Sequence, residues 1–320
     1  MKLLSDDVYA NRCLMISFGG IGGLAHLDCK AALSAKLGGP PPWIEHQHLD
    51  FPVAAEPISQ ELIRRYGQQN VKSFTDSETL SLEMEPLVDI AENAKDDVEF
   101  QPLWKLCPPE LLLNTRSDQA GQKPAVGRAA LWLAADKMAA QLEQILTRLS
   151  PAGSAAHSLR RGGFPDESIS RRLRVALLAG AEGGTGSGTL LLGALLVSSV
   201  ARSLQISHEL EAHVCYGYRP AQEQEAILRR ALGEQLSRDM EMAQTPGNLF
   251  SVKTRSGVTH TARARIFRRV IAYEGHGRLH ANADGLALMI GESCALRNAT
   301  RAASHIELAA AQNVLSRSRK

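Results

Sequence analysis

The run Gly183-Gly184-Thr185-Gly186-Ser187-Gly188-Thr189 interleaves four glycines with three small hydroxyl residues. Glycines lack Cβ atoms, so such a run lets the backbone turn sharply and aim consecutive N–H groups at an anion. Thr185, Ser187 and Thr189 add hydroxyl donors, and a helix beginning near Thr189 points the positive end of its dipole at the same place. The chemistry this suits is the holding of phosphates. No lysine lies inside the run, so it is not the G-x-x-x-x-G-K-[ST] loop, and the charge must be offset by backbone dipoles and a metal ion. A second cluster, Gly19-Gly20-Ile21-Gly22-Gly23, follows an early apolar run and is a second candidate phosphate contact. Glycines at a strand–helix junction serve close packing equally often, and both readings stand for this cluster taken alone.

Three other constellations carry less chemistry. In Glu45-His46-Gln47-His48 the alternation of a strand puts His46 and His48 on one face, where a solvated or partly packed pair is expected before a metal site. Arg160, Arg161, Arg171, Arg172 and Arg174, and again Arg263, Arg265, Arg268 and Arg269, form basic clusters, read as solvated faces with DNA or an acidic partner as the alternative. Ser187 has no histidine and aspartate in a nucleophile-elbow arrangement.

The elements around these loops follow from periodicity. Leu14 to Phe18 reads as a strand, a tight glycine turn follows, and Leu24 to Leu33 suits a helix. A break at Gly38-Gly39-Pro40-Pro41-Pro42 precedes a second strand, Trp43 to Asp50, ending in an acid. Residues 51–126, broken by repeated prolines, read as an irregular insertion with short helices. Helical spacing returns from Gly127 to Leu149, residues 150–170 read as a mobile surface loop, and Val175 to Ala179 is expected as a central parallel strand. Leu190 to Ser203 reads as a buried helix, His213 to Tyr218 as a strand, Gln222 to Ala243 as a helix and Ile266 to Tyr273 as a strand. Closing helices are expected at Asn282 to Arg297 and Ala302 to Leu315. Strands alternating with helices predict an α/β fold, a three-layer open and mainly parallel sheet with helices on both faces. One nucleotide-binding domain over 1–298 with a terminal helix or tail over 299–320 is the expected division.

Composition sets the outer limits. The 320 residues are 44% hydrophobic and 22% charged, with a net charge of +2 and a pI near 8.3. That balance is too mild to announce nucleic acid. Five scattered cysteines, none in a C-x-x-C pair, suggest neither a disulfide framework nor a zinc site and fit a reducing cytoplasm. The first residues carry no hydrophobic stretch of a secretion signal, and the apolar segment Thr189 to Ala201 is too short to span a bilayer, so no membrane role is expected.

Gly183-Gly184-Thr185-Gly186-Ser187-Gly188 resembles the G-G-G-T-G-S-G signature of the tubulin and FtsZ superfamily, after an apolar strand and before a helix as in that family. The Gly19 to Gly23 cluster corresponds to its amino-terminal glycine loop, and Asp50 falls where the following strand commonly ends in an acid near the nucleotide. Gly127-Arg128-Ala129-Ala130-Leu131 and the large insertion look most like the divergent bacterial tubulin-like proteins. The resemblance implies GTP or GDP with Mg²⁺, held by Gly19, Gly20, Gly22 and Gly23 and by Gly183, Gly184, Gly186 and Gly188. Thr185 and Ser187 become the side-chain phosphate ligands, and Glu274 and Asn282 read the base. Glu182 stands where the family has a small residue or glycine; a carboxylate there repels phosphates unless it turns outward or orders a magnesium-bound water. Family members hydrolyse GTP when a neighbouring subunit inserts an acidic loop. After Asn298 this sequence has no acidic pair, so a separate chain is a candidate supplier, and no catalytic residue is assigned. The expected function is a tubulin-like GTP-binding protein that assembles head to tail with assembly-coupled hydrolysis. The alternatives are a non-hydrolysing nucleotide-binding scaffold and an NAD-binding Rossmann oxidoreductase using Gly19 to Gly23 with Asp50.

Overall fold

A computed structural model describes residues 11–52, 60–115, 120–164, 169–216, 223–263, 265–274 and Gly291. Two strands form its centre: β1 (Cys13–Phe18), buried along its whole length, and β4 (Leu173–Gly180). Continuous apolar runs of this kind suit strands covered on both faces. They pair in parallel from Cys13 opposite Arg174 to Phe18 opposite Ala179. β2 (Ile44–Asp50) and β3 (Thr79–Ser81) extend the sheet on one side, β5 (His208–Tyr216) and β8 (Arg269–Glu274) on the other, giving the order β3-β2-β1-β4-β5-β8 with every pair parallel. The chain leaves β1 toward β2 but leaves β4 toward β5. Right-handed crossovers therefore place α1 (Gly19–Leu37) and α9 (Gly184–Ser203) on opposite faces, and the expected three-layer sheet is what is found.

The insertion contributes α2 (Gln60–Tyr66), which packs on α1, then α3 (Glu85–Asn93), α4 (Gln101–Leu106) and α5 (Pro109–Leu113). Its three-residue β3 joins the main sheet. The expected helix from Gly127 to Leu149 is two helices, α6 (Pro124–Leu133) and α7 (Ala135–Arg148), because the backbone leaves helical geometry at Ala134. The break lets α6 lie against α9 while α7 runs down to the other edge of the sheet, where Arg148 pairs with Glu45. Residues 150–170 are not simply a loop: α8 (Ser154–Arg161) buries Ala155, Ala156 and Leu159. α10 (Glu223–Gln244) packs on α9, and the hairpin of β6 (Leu249–Lys253) and β7 (Thr259–Arg263) covers α9 further along. The Trp132 indole pins that hairpin to α6 by donating to the Lys253 carbonyl at 2.8 Å.

α9 is long and apolar enough to cross a membrane, yet most of it is buried among sheet and helices. The predicted helices 282–297 and 302–315, and with them Asn282 and the 299–320 tail, lie outside the described residues. Gly291 is in helical geometry and packs so tightly on α1 that an added Cβ would collide with the Ala25 carbonyl.

Candidate functional site

Both glycine clusters sit at the carboxyl edge of the sheet, where strands β1 and β4 turn into helices. The helices begin earlier than the sequence suggests. α1 starts at Gly19 and α9 at Gly184, so most of the glycines form first helical turns instead of preceding loops. The first three amides of each helix have no intrahelical carbonyl to bond. At α9 the Gly184 amide is taken by the Gly121 carbonyl at 2.7 Å, while the Thr185 and Gly186 amides have no backbone acceptor among the described residues. The two turns touch: a Cβ on Gly19, whose φ of +71° already favours glycine, would lie 3.1 Å from the Gly186 nitrogen. Two sets of orphan donors and two positive helix ends converge on one spot.

The glycines divide by environment. Gly20 and Gly183 are exposed, and a Cβ on either would meet open space. Gly22, Gly23, Gly184, Gly186 and Gly188 are buried, and a side chain on each would strike a neighbour. Gly22 lies against the Leu178 carbonyl, Gly184 against Gly121, and Gly188 against the Pro124 carbonyl; a Cβ on Gly186 would come within 2.5 Å of the Gly180 oxygen. A cradle with an open rim and a tightly packed floor fits a phosphate group.

Thr185 is half-buried beside the rim. The Ser187 hydroxyl is buried and donates back to the Gly183 carbonyl, and Thr189 donates to Thr185 at 2.7 Å, so both spend their hydrogens inside the helix. Glu182 does not turn outward. It is buried, near enough to help push the Cys215 thiol up to about 12, although burial is the larger cause, and to act on Arg229. Asp50 ends β2 at the same edge and accepts from the Phe51 amide at 2.9 Å. Glu274 ends β8 opposite Tyr216. Sequence reasoning missed the wall made by residues 120–123. Gly121 bonds Gly184, while Lys123 brings its backbone to the turn and its ammonium to the Thr115 hydroxyl at 2.9 Å. No group of three His, Cys, Asp or Glu side chains suited to a metal occurs among the described residues.

Beneath the α1 turn lies a buried polar network. His46 and His48 share a face, partly packed as one of the two readings had it: His46 is buried, His48 half-buried, and both are hydrogen-bonded. Ser17 Oγ bonds His26 Nδ1 at 2.8 Å and His48 Nδ1 at 2.9 Å, and His26 Nε2 bonds His46 Nδ1 at 2.9 Å. Phe74 stacks on His48, and the Lys30–Glu78 pair closes one side. The His48 ring fills the space that a Cβ on Gly23 would need, so this network supports the cradle from below. Burial lowers His46 and His48 to about 4, and desolvation holds His26 well below its ordinary value, helped by the other two imidazoles. Because the folded values lie below the unfolded one, stability is complete above pH 6.5 and is lost as the pH falls toward 4. Each histidine steepens the loss by up to about 1.4 kcal/mol per pH unit. Urea midpoints measured between pH 7.5 and 4.5 are expected to show this slope, reduced by about one proton in His48→Asn; equal slopes would contradict the assignment.

A family model described as tubulin like matches residues 14–214, from β1 through nearly all of β5. No curated protein matches. Among solved structures, the chain is similar to a GTPγS-form protofilament of TubZ from Bacillus thuringiensis serovar israelensis, at 11% identity and a TM-score of 0.40, covering 90% of this chain and 56% of that one. It is also similar to the GDP-form protofilaments of the same protein, at 12% identity and a TM-score of 0.37, covering 90% and 54%. The chain thus spans about half the length of the solved proteins it matches.

Proposed function

Because the chain belongs to the tubulin-like family, we propose that it binds GTP or GDP across the first turns of α1 and α9 and assembles head to tail with further copies. The observation that carries this reading is the contact of two glycine turns at one sheet edge, with the Thr185 and Gly186 amides open and Gly20 and Gly183 at the rim. These amides and the Thr185 hydroxyl hold the phosphates. Ser187 joins them only by giving up its bond to Gly183. Asp50, at the end of β2, lies near the nucleotide, and Glu274 and Asn282 read the base. Mg²⁺, when bound, would neutralise phosphate charge that no lysine of the turn offsets, and the Thr185 hydroxyl would be the side chain to hold it or its water.

Electrostatic stabilisation by fixed amides is the catalytic contribution these turns offer, and any acidic group that positions water comes from a neighbouring or separate chain. Phosphate release from GTP, measured across protein concentrations, tests this. A rate per subunit that rises with concentration is the expected result. Saturable GTP binding with no release at any concentration makes the protein a non-hydrolysing scaffold, and purification with bound NAD would replace the reading by the Rossmann alternative.

A further inference from the structure

The two basic clusters of the sequence meet in space, at the edge of the sheet opposite the glycine turns. Arg172 precedes β4, Arg202 lies in the last turn of α9, Arg263 ends β7, and Arg265 and Arg268 lie between β7 and β8. Together they line an open concavity of about 470 Å³. Its one carboxylate, Glu209, accepts from Arg172 at 2.6 Å and also pairs with Arg268, which shows that these guanidinium groups are set for carboxylate partners. Arg263 and Arg265 are exposed and form no ion pair among the described residues. Five arginines against one glutamate make this the strongest positive concavity described, in a chain whose net charge is only +2.

The opposite charge lies at the opposite end. After β3 the chain emerges at the carboxyl edge and presents Glu83, Glu85, Glu92, Asp96 and Asp97 to solvent, with Lys95 the only base between them. This stretch borders the amino-terminal end of α7, and the far end of α7 reaches Glu45 at the amino edge of the sheet. Fourteen helical residues, about 21 Å, therefore separate the acidic level from the arginine level.

The geometry points to a contact between copies of this chain, in which the acidic stretch 83–97 of one copy docks in the arginine concavity of the next. Different surfaces meet at such a contact, so it does not close as a two-fold pair but propagates as an open chain. The acidic stretch follows edge strand β3 while the concavity lies under β4, β5 and β8, so successive copies step sideways as well as along the strands. A nucleic acid is disfavoured as occupant: the site is one concavity instead of a stripe, and the near-neutral chain lacks the long-range field that draws DNA. The inference rests on the head-to-tail reading and names the side chains that would carry it.

The test is a charge swap, with self-association in GTP followed by sedimentation and nucleotide binding followed separately with a fluorescent GTP analogue. Arg263→Glu/Arg265→Glu and Asp96→Lys/Asp97→Lys are each expected to weaken association at least tenfold while binding the analogue as wild type does. An equimolar mixture of the two variants restores association, since each reversed surface then faces its complement, and salt weakens the wild-type assembly. The inference is overturned if the variants assemble like wild type, if the mixture fails to recover, if wild type stays monomeric, or if the concavity retains duplex DNA instead. Loss of analogue binding in wild type itself would sink the nucleotide reading, a separate failure.

Discussion

Gly183→Asp is expected to weaken GTP binding by at least two orders of magnitude, while the fold becomes no less stable than wild type. Gly183 is the residue before the first turn of α9, with extended backbone angles that aspartate adopts freely and with open space where the side chain would go. Aspartate is among the preferred residues at that position because its carboxylate accepts from the first-turn amides. Those are the Thr185 and Gly186 amides that the phosphates require. The same carboxylate thus caps the helix, worth a few tenths of a kcal/mol over glycine, and occupies and repels the nucleotide's seat, a loss of about 3 kcal/mol or more for a hundredfold change. Thermal unfolding and titration with a fluorescent GTP analogue read the two effects apart. Binding retained with the helix capped would show that these amides are not the seat.

Gly188→Ala is expected to act in the opposite way, costing about 3 kcal/mol of stability, toward the upper end for forcing a methyl into a packed interior. The added Cβ would collide with the Pro124 carbonyl, which is backbone and cannot swing aside as a side chain could. Nearby, a Cβ on Gly127 would come within 2.5 Å of the Gly184 oxygen, so α6 and α9 cross at a point where both must be bare. Urea unfolding measures the loss, and the molecules that remain folded bind the analogue with near-wild-type affinity. A change in stability below about 1 kcal/mol would show that the helices separate easily at the crossing.

These two substitutions mark how far the sequence could be read. Four glycines in seven residues announce a close backbone approach, but the letters do not say whether a phosphate or a neighbouring helix is what approaches. Gly183 and Gly20 face open space, Gly188 and Gly22 face carbonyls, and all four look alike in the chain. The central parallel strands were legible because runs such as Val175 to Ala179 are apolar throughout. β3 was not, since three residues carry no periodicity and owe their conformation to pairing with His48 to Asp50. The hairpin β6–β7 was hidden for a related reason: His260 and Ala262 are its buried face, and neither signals burial alone. The imidazole network had a visible half, His46 and His48 two apart in a strand. Its other half, Ser17 and His26, comes from different elements that only the folded sheet brings together. In the same way, the arginines of 171–174 and 263–269 read as two solvated faces because nothing local shows that β4, β7 and β8 place them around one concavity.

In the proposed function, the amides at the start of α1 and α9 hold the phosphates of a guanine nucleotide. The most direct measurement is a titration of the ¹⁵N-labelled protein with GTP, following the backbone amides of Gly20, Ile21, Gly183, Thr185 and Gly186. All five should shift together along one saturating curve, while Gly184, whose amide is committed to Gly121, moves less. Saturable GTP binding that leaves these amides unmoved, or the absence of any saturable binding, would contradict the account.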